Sequence, residues 1–321
     1  MSPKLNEDSL DPNNFLLWCP EPEQAVNVGP EQAPCVLPQV PLPVRPAALE
    51  EGDPSADAIG QGVYDYLRQF PDCPHNAAYA ELLRDAYPHF LSDLGSQILM
   101  LDHKEVDSYY IRRKISYMKI LSLLDGDNSG LLQRLGIEYY NLSQMFTEFG
   151  ECRQHLLKAM AYFYRILKHQ PANLTVLNYL AQIDYLFGDY PAAIARWRQV
   201  IDRLEEGPPR QALTEKVEQL SADGVPEYPL IDDYELIGAA MECYGRGEIA
   251  EAATTMDIIE ERGKFTASFP CPEFYYFLGI CRSKNGEQGG AFEALEKALE
   301  LDPDYPLARE AMDRILEEGK A

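Results

Sequence analysis

The stretch Pro272–Tyr305, PEFYYFLGICRSKNGEQGGAFEALEKALELDPDY, decides the fold. Counted from Pro272 as position 1, Leu278 and Gly279 fall at positions 7 and 8, Gly286 at 15, Ala291 at 20, Leu295 at 24, Ala298 at 27 and Pro303 at 32. This spacing predicts two helices with a turn at Gly286. Gly279, Ala291 and Ala298 carry little or no side chain, so the two helices can approach closely, while Tyr275, Leu278, Leu295 and Leu299 fill the space between pairs. Pro303 cannot continue the second helix and suits the reversal that follows it. From Tyr305 to Glu318, Leu307, Ala311 and Ile315 recur at helical spacing and predict a terminal capping helix.

This pattern resembles the tetratricopeptide (TPR) repeat, a helix-turn-helix of 34 residues. Working upstream, the same phrase returns in three further units. Unit 233–266 carries Leu236, Ala239, Ala240, Gly247, Ala252, Met256 and Ile259 in register. Unit 174–207 carries Leu177, Leu180, Ala181, Gly188, Ala193, Trp197 and Val200, with Asp184 where the family prefers an aromatic. Unit 129–173 has Leu132, Leu135, Gly136 and Tyr139, then Ala159, Phe163, Ile166 and Pro171, with its halves too far apart by 11 residues. That excess is expected in two lengthened helices meeting at Gly150. Between Pro208 and Pro229 a short helical stretch and a Gly/Pro/Asp-rich loop interrupt the register; a hinge, a partner-specific feature and a tolerated loop all fit it. The resemblance implies an all-α, right-handed superhelical solenoid of TPR-like helix pairs across 129–321, closed by the C-terminal capping helix.

Residues 55–128 predict N-terminal helices with a loosely TPR-like pair. Ser55 is a plausible N-cap ahead of Ile59, Val63, Tyr66 and Leu67, and Pro71 ends that helix. A helix over Asn76–Ala86 follows, then one opening at Pro88 with Leu91, Leu94 and Gly95 in the repeat's phase, then Glu105–Leu124 with Ser116, Ile120 and Leu123. Residues 1–54 hold 11 of the 24 prolines and few aromatics, which predicts a disordered, acidic, proline-rich arm. Two islands interrupt it: Phe15–Trp18, a docking peptide for a partner or for the protein itself, and Pro38, Pro41, Pro43 and Pro46, a polyproline stretch or spacer.

Fifty-two acidic against 28 basic side chains give a formal charge of −24, which disfavours nucleic acid and anionic membrane surfaces. The seven cysteines lack CxxC or zinc-ligand spacing and read as reduced thiols. No near-18-residue apolar run and no leader-like start is found, so a soluble cytoplasmic protein is expected.

The motifs that suggest chemistry have plainer explanations. Gly245–Ala250 matches GxGxxA, but it lies between two predicted helices, with Gly247 at the repeat's turn. Asp125–Gly130 resembles the first half of a calcium loop, yet the twelfth position, which needs a bidentate carboxylate, is Gly136. The five histidines show no HxxxH or HExxH spacing and no serine has a nucleophile-elbow context, so no enzyme, metal or cofactor is expected. Arg112, Arg113, Lys114 and Lys119 form a basic cluster, either a solvated helix face or an anchor for an acidic partner.

The resemblance also implies where a ligand would lie, because positions 2, 5, 9 and 12 of each unit line the concave groove in that family. These positions give Gln133, Tyr140, Asn178, Gln182, Tyr185, Met241, Tyr244 and Tyr276 as peptide-binding residues. The competing reading buries the tyrosines between adjacent repeats. The implied function is a scaffold or adaptor that grips a protein or peptide segment, basic or apolar in character. The alternatives are a chaperone for a secreted or assembling client and a regulatory subunit of an enzyme.

Overall fold

The structure, a computed structural model, describes residues 14–29, 31–49, 52–104, 107–222 and 226–318. Among these the protein is all-α apart from four short strands. The chain divides into two units, the first ending at Leu135 and the second beginning at Gly136.

In the first unit, strands β1 (Leu16–Trp18) and β4 (Leu42–Val44) pair antiparallel, as do β2 (Ala25–Val28) and β3 (Ala33–Val36). Helices α1 (Ala56–Gln69), α2 (Asn76–Ala86), α3 (Pro88–Asp102) and α4 (Ser108–Leu124) follow, and α5 (Ser129–Ser143) crosses into the second unit. Ser55 caps α1 by accepting from the Ala58 N–H at 3.2 Å, and Asp107 caps α4 through Tyr109 at 2.8 Å. Glu105, the expected start of α4, lies outside the described residues.

The disordered arm expected over 1–54 does not hold for its described part. Leu37, Leu42 and Val44 are fully enclosed, and Phe15 meets Tyr66 edge-on at 5.2 Å with Arg45 over its other face. The strand β4 lies so close to α1 that a Cβ on Gly62 would sit 2.9 Å from the Val44 Cα. Prolines exclude helix here, but a two-stranded pairing is all edge and tolerates their missing N–H groups, so few apolar residues suffice once α1 supplies the other half of the core. Phe15 therefore docks on the protein itself, while Leu16 and Leu17 stay exposed; residues 1–13 lie outside the described part.

Gly95 has nothing within 4 Å of where its Cβ would stand, so it does not serve the close approach expected from its phase. In this unit that role falls to Gly60, against the Tyr87 ring, and to Gly62. The basic cluster is internally paired: Lys114 with Asp102, Lys119 with Asp72, and Arg113 with the Tyr117 hydroxyl. In the suspected calcium loop, Asn128 caps α5 through Leu131 and donates to Asp125, so these side chains hold the turn.

The second unit continues with a 3-10 turn (Phe146–Glu151), α6 (Cys152–His169), α7 (Leu174–Leu186), α8 (Tyr190–Ile201), α9 (Pro208–Ala222), α10 (Leu230–Arg246), α11 (Ile249–Arg262), α12 (Lys264–Ser268), α13 (Pro272–Lys284), α14 (Gln288–Leu301) and α15 (Pro306–Glu318). Three helix pairs, α7/α8, α10/α11 and α13/α14, are closed by the same turn. Gly188, Gly247 and Gly286 take φ of +82°, +84° and +89°, and the next N–H reaches back to the carbonyl five residues earlier: Asp189 to Asp184, Glu248 to Cys243, Glu287 to Arg282, at 2.8–2.9 Å. Only glycine adopts that conformation without steric cost, and the bonds satisfy carbonyls the helix end would orphan. The pairs pack across missing side chains. A Cβ on Gly136 would overlap the Phe163 ring, and one on Gly279 would meet Leu295 at 2.8 Å.

Two details depart from expectation. The excess length before α6 is not two lengthened helices: α5 stops at Ser143, and the chain forms the 3-10 turn, which drives Phe149 into a buried aromatic cluster with Tyr234, Phe265 and Phe269. Gly150 lies in that turn, where its backbone crosses Gly238 of α10. Asp184, where the repeat resemblance leads one to expect an aromatic, is buried and forms an ion pair with Arg196 of α8, whose other nitrogen donates to the Tyr164 hydroxyl at 2.9 Å. A charge at this depth is tolerable because it is paired with the guanidinium.

Candidate functional site

All eight residues expected to line a groove are half-buried, neither core nor open surface. Gln133 stands on α5 in the first unit and the other seven in the second. Each of the four tyrosines has an aromatic neighbour farther along the second unit. Tyr140 meets Tyr179 of α7 at 5.0 Å and donates to Gln182 Oε1 at 2.7 Å. Tyr185 contacts Tyr190 and Trp197 of α8, Tyr244 contacts Phe277 of α13 at 5.5 Å, and Tyr276 contacts Tyr305 at 5.8 Å. Burial raises the Tyr140 hydroxyl above the ordinary phenol range and, less strongly, those of Tyr185 and Tyr244, so all three stay protonated donors.

The insertion after residue 208 changes this surface. Leu213, Val217 and Leu220 fall on one face of α9, which packs on Trp197 and Tyr185. It covers part of the expected groove and builds a new one. Asn178 accepts a hydrogen bond from the fully buried Trp197 Nε1 at 3.1 Å, which fixes its amide orientation. Lys216 of α9 then lies over both rings, its Nζ 4.5 Å from the Trp197 centroid and 4.9 Å from that of Tyr185. Burial lowers its pKa, and among the described residues no carboxylate pairs with it. Beside it opens a groove of about 450 Å³ lined by Leu174, Thr175, Asn178, Ala212, Leu213 and Lys216. The arrangement presents an apolar floor with a desolvated cation at its edge, which suits an apolar side chain next to an oxygen acceptor.

Sequence register missed Lys216 because the insertion lies outside the repeat; the apolar spacing of Leu213, Val217 and Leu220 was the available signal. It also missed two groups with metal-ligand geometry among the described residues, Glu148/Glu151/His155 and Cys243/Glu248/Glu251. In the second, Glu248 already accepts from Arg246 at 2.7 and 3.0 Å, which holds its carboxyl below the usual range. The GxGxxA motif is the α10/α11 turn, with Gly245 inside the helix and Gly247 just past it. No helix of the described residues is long and apolar enough to cross a membrane. No family model matches the chain, and no curated protein matches it.

Proposed function

We propose that the second unit is a protein-interaction module of TPR-like helix pairs, a right-handed solenoid in the finer description, acting as a scaffold or adaptor. Its ligand is an extended or helical segment of a partner protein. The reading is carried by the groove beside α9, where a half-buried lysine without a carboxylate partner among the described residues faces an apolar floor. The thrice-repeated glycine turn supports the helix-pair description. The occupant places an apolar side chain against Leu174 and Leu213 and an oxygen acceptor at Lys216, while Asn178 contributes its amide nitrogen. Seven free thiols, with burial pushing Cys152, Cys271 and Cys281 up to about 12, suit a reducing compartment, and we place the module in the cytoplasm.

The test is a peptide-display selection on the full chain, followed by affinity measurement of the selected segments on wild type and on Lys216→Glu. Selected binders should lose about tenfold or more in Kd on Lys216→Glu, equivalent to about 1.4 kcal/mol, because the substitution sets a carboxylate against the acceptor that the lysine would hold. Selected segments that bind both proteins equally would place the binding surface elsewhere.

A further inference from the structure

The junction of the 3-10 turn and α6 gathers three side chains that the groove does not use. In a 3-10 turn, residues three apart eclipse, so Glu148 and Glu151 project to the same side. Residues four apart on an α-helix share a face, which sets His155 beside Glu151. The outcome is close: His155 Nε2 is 3.3 Å from Glu148 Oε2 and 3.6 Å from Glu151 Oε2. All three ligating atoms lie within 4.8 Å of one another.

These separations can be compared with what a cation requires. Tetrahedral zinc, with ligands at about 2.0–2.2 Å, spaces neighbouring ligand atoms by roughly 3.3–3.6 Å. The two edges from the imidazole already have that length, and a small rotation of the exposed Glu151 side chain closes the third.

Burial separates this group from an ordinary acidic surface patch. His155 is 2% exposed and the Glu148 side chain 8%, while Glu151 is 56% exposed. The Tyr139 ring lies alongside the imidazole, 6.3 Å between centroids. The open side at Glu151 gives an entry path and a fourth position for water or a partner's side chain.

We propose that Glu148, Glu151 and His155 form a binding site for a borderline divalent cation of the zinc type, which ties the 3-10 turn to α6. The imidazole and two carboxylates suit Zn²⁺ or Co²⁺ better than Ca²⁺, which takes six or more oxygens. The cation would also hold Phe149, between the two glutamates in sequence, in its aromatic cluster.

The experiment uses the full chain, reduced and stripped of metal, titrated with Zn²⁺ by calorimetry and with Co²⁺ by absorption. The expected result is one ion per chain with a Kd of micromolar order or tighter and a Co²⁺ spectrum without a thiolate charge-transfer band. Glu151→Gln, at an exposed position, should weaken binding by about tenfold or more while leaving the metal-free helicity and melting temperature unchanged. His155→Gln should abolish it, and if that protein fails to fold, Glu151→Gln still decides. Binding weaker than about 100 μM, equal binding by Glu151→Gln, or a thiolate band that puts the ion on the cysteines would each overturn the site.

Discussion

Gly238→Ala tests how the second unit is held together. A Cβ at position 238 would stand 2.5 Å from the Gly150 nitrogen and 3.1 Å from the Phe149 carbonyl carbon. Both neighbours are backbone, so neither can rotate away. Restoring an ordinary 3.4 Å contact requires the 3-10 turn to retreat by about 0.9 Å. That retreat would pull Phe149 from its 4.3 Å stack on Tyr234. A gap of that size forfeits about a quarter to a half of each dispersion contact. Overpacking costs about 1–3 kcal/mol, with this backbone clash at the upper end, and the alanine returns about 1 kcal/mol of helix propensity. The net loss is about 2 kcal/mol, a fall of roughly 1 M in the urea midpoint for an m-value near 2 kcal/mol/M.

Two controls isolate the cause. Gly245→Ala lies on the same helix with nothing within 4 Å, and Gly150→Ala would place its Cβ 3.8 Å from the Gly238 Cα, an ordinary contact. Gly245→Ala should match or exceed wild type, and Gly150→Ala should stay close to it. The assay is urea denaturation followed by Trp197 emission in a Trp18→Phe background, which reports the second unit because Trp197 is fully buried there. A Gly238→Ala midpoint equal to that of Gly245→Ala would refute the glycine crossing.

Arg196→Met should destabilise the second unit by about 3–5 kcal/mol, because it strands the buried Asp184 carboxylate, whereas the double variant Asp184→Leu/Arg196→Met should recover most of that loss, as read by the same denaturation series. In the first unit, Leu42→Ala should cost about 2–5 kcal/mol and start proteolysis within residues 14–54, as followed by mass spectrometry; a variant as resistant as wild type would mean that β4 does not belong to the core.

The local rules were legible in the sequence wherever one segment contains its own partner. The α13/α14 pair could be read from residue spacing because its turn glycine, its small contact residues and its closing proline all lie within one 34-residue stretch. The same holds for the Ser55 cap and for the turns at Gly188 and Gly247, which depend on backbone sterics a few residues wide. Whether the eight groove positions bind a ligand was not legible in this way, since a tyrosine that stacks on a neighbour and one that stacks on a peptide occupy the same register.

Tertiary structure alone decided the rest, because the deciding partner is distant in the chain. The arm looked too poor in apolar residues to fold; α1 completes its core, as Val44 against Gly62 shows. Asp184 departed from the resembled repeat pattern and only Arg196 opposite it accounts for its burial, and Gly150 read as a helix break until α10 brought Gly238 across it. Lys216 drew no attention in the insertion, and only the packing of α9 on Trp197 sets it half-buried over two aromatic rings. Hydrophobic spacing reports which face of a segment is buried; it carries no information about what buries that face, and that distant contact sets the depth, charge and chemistry of each site.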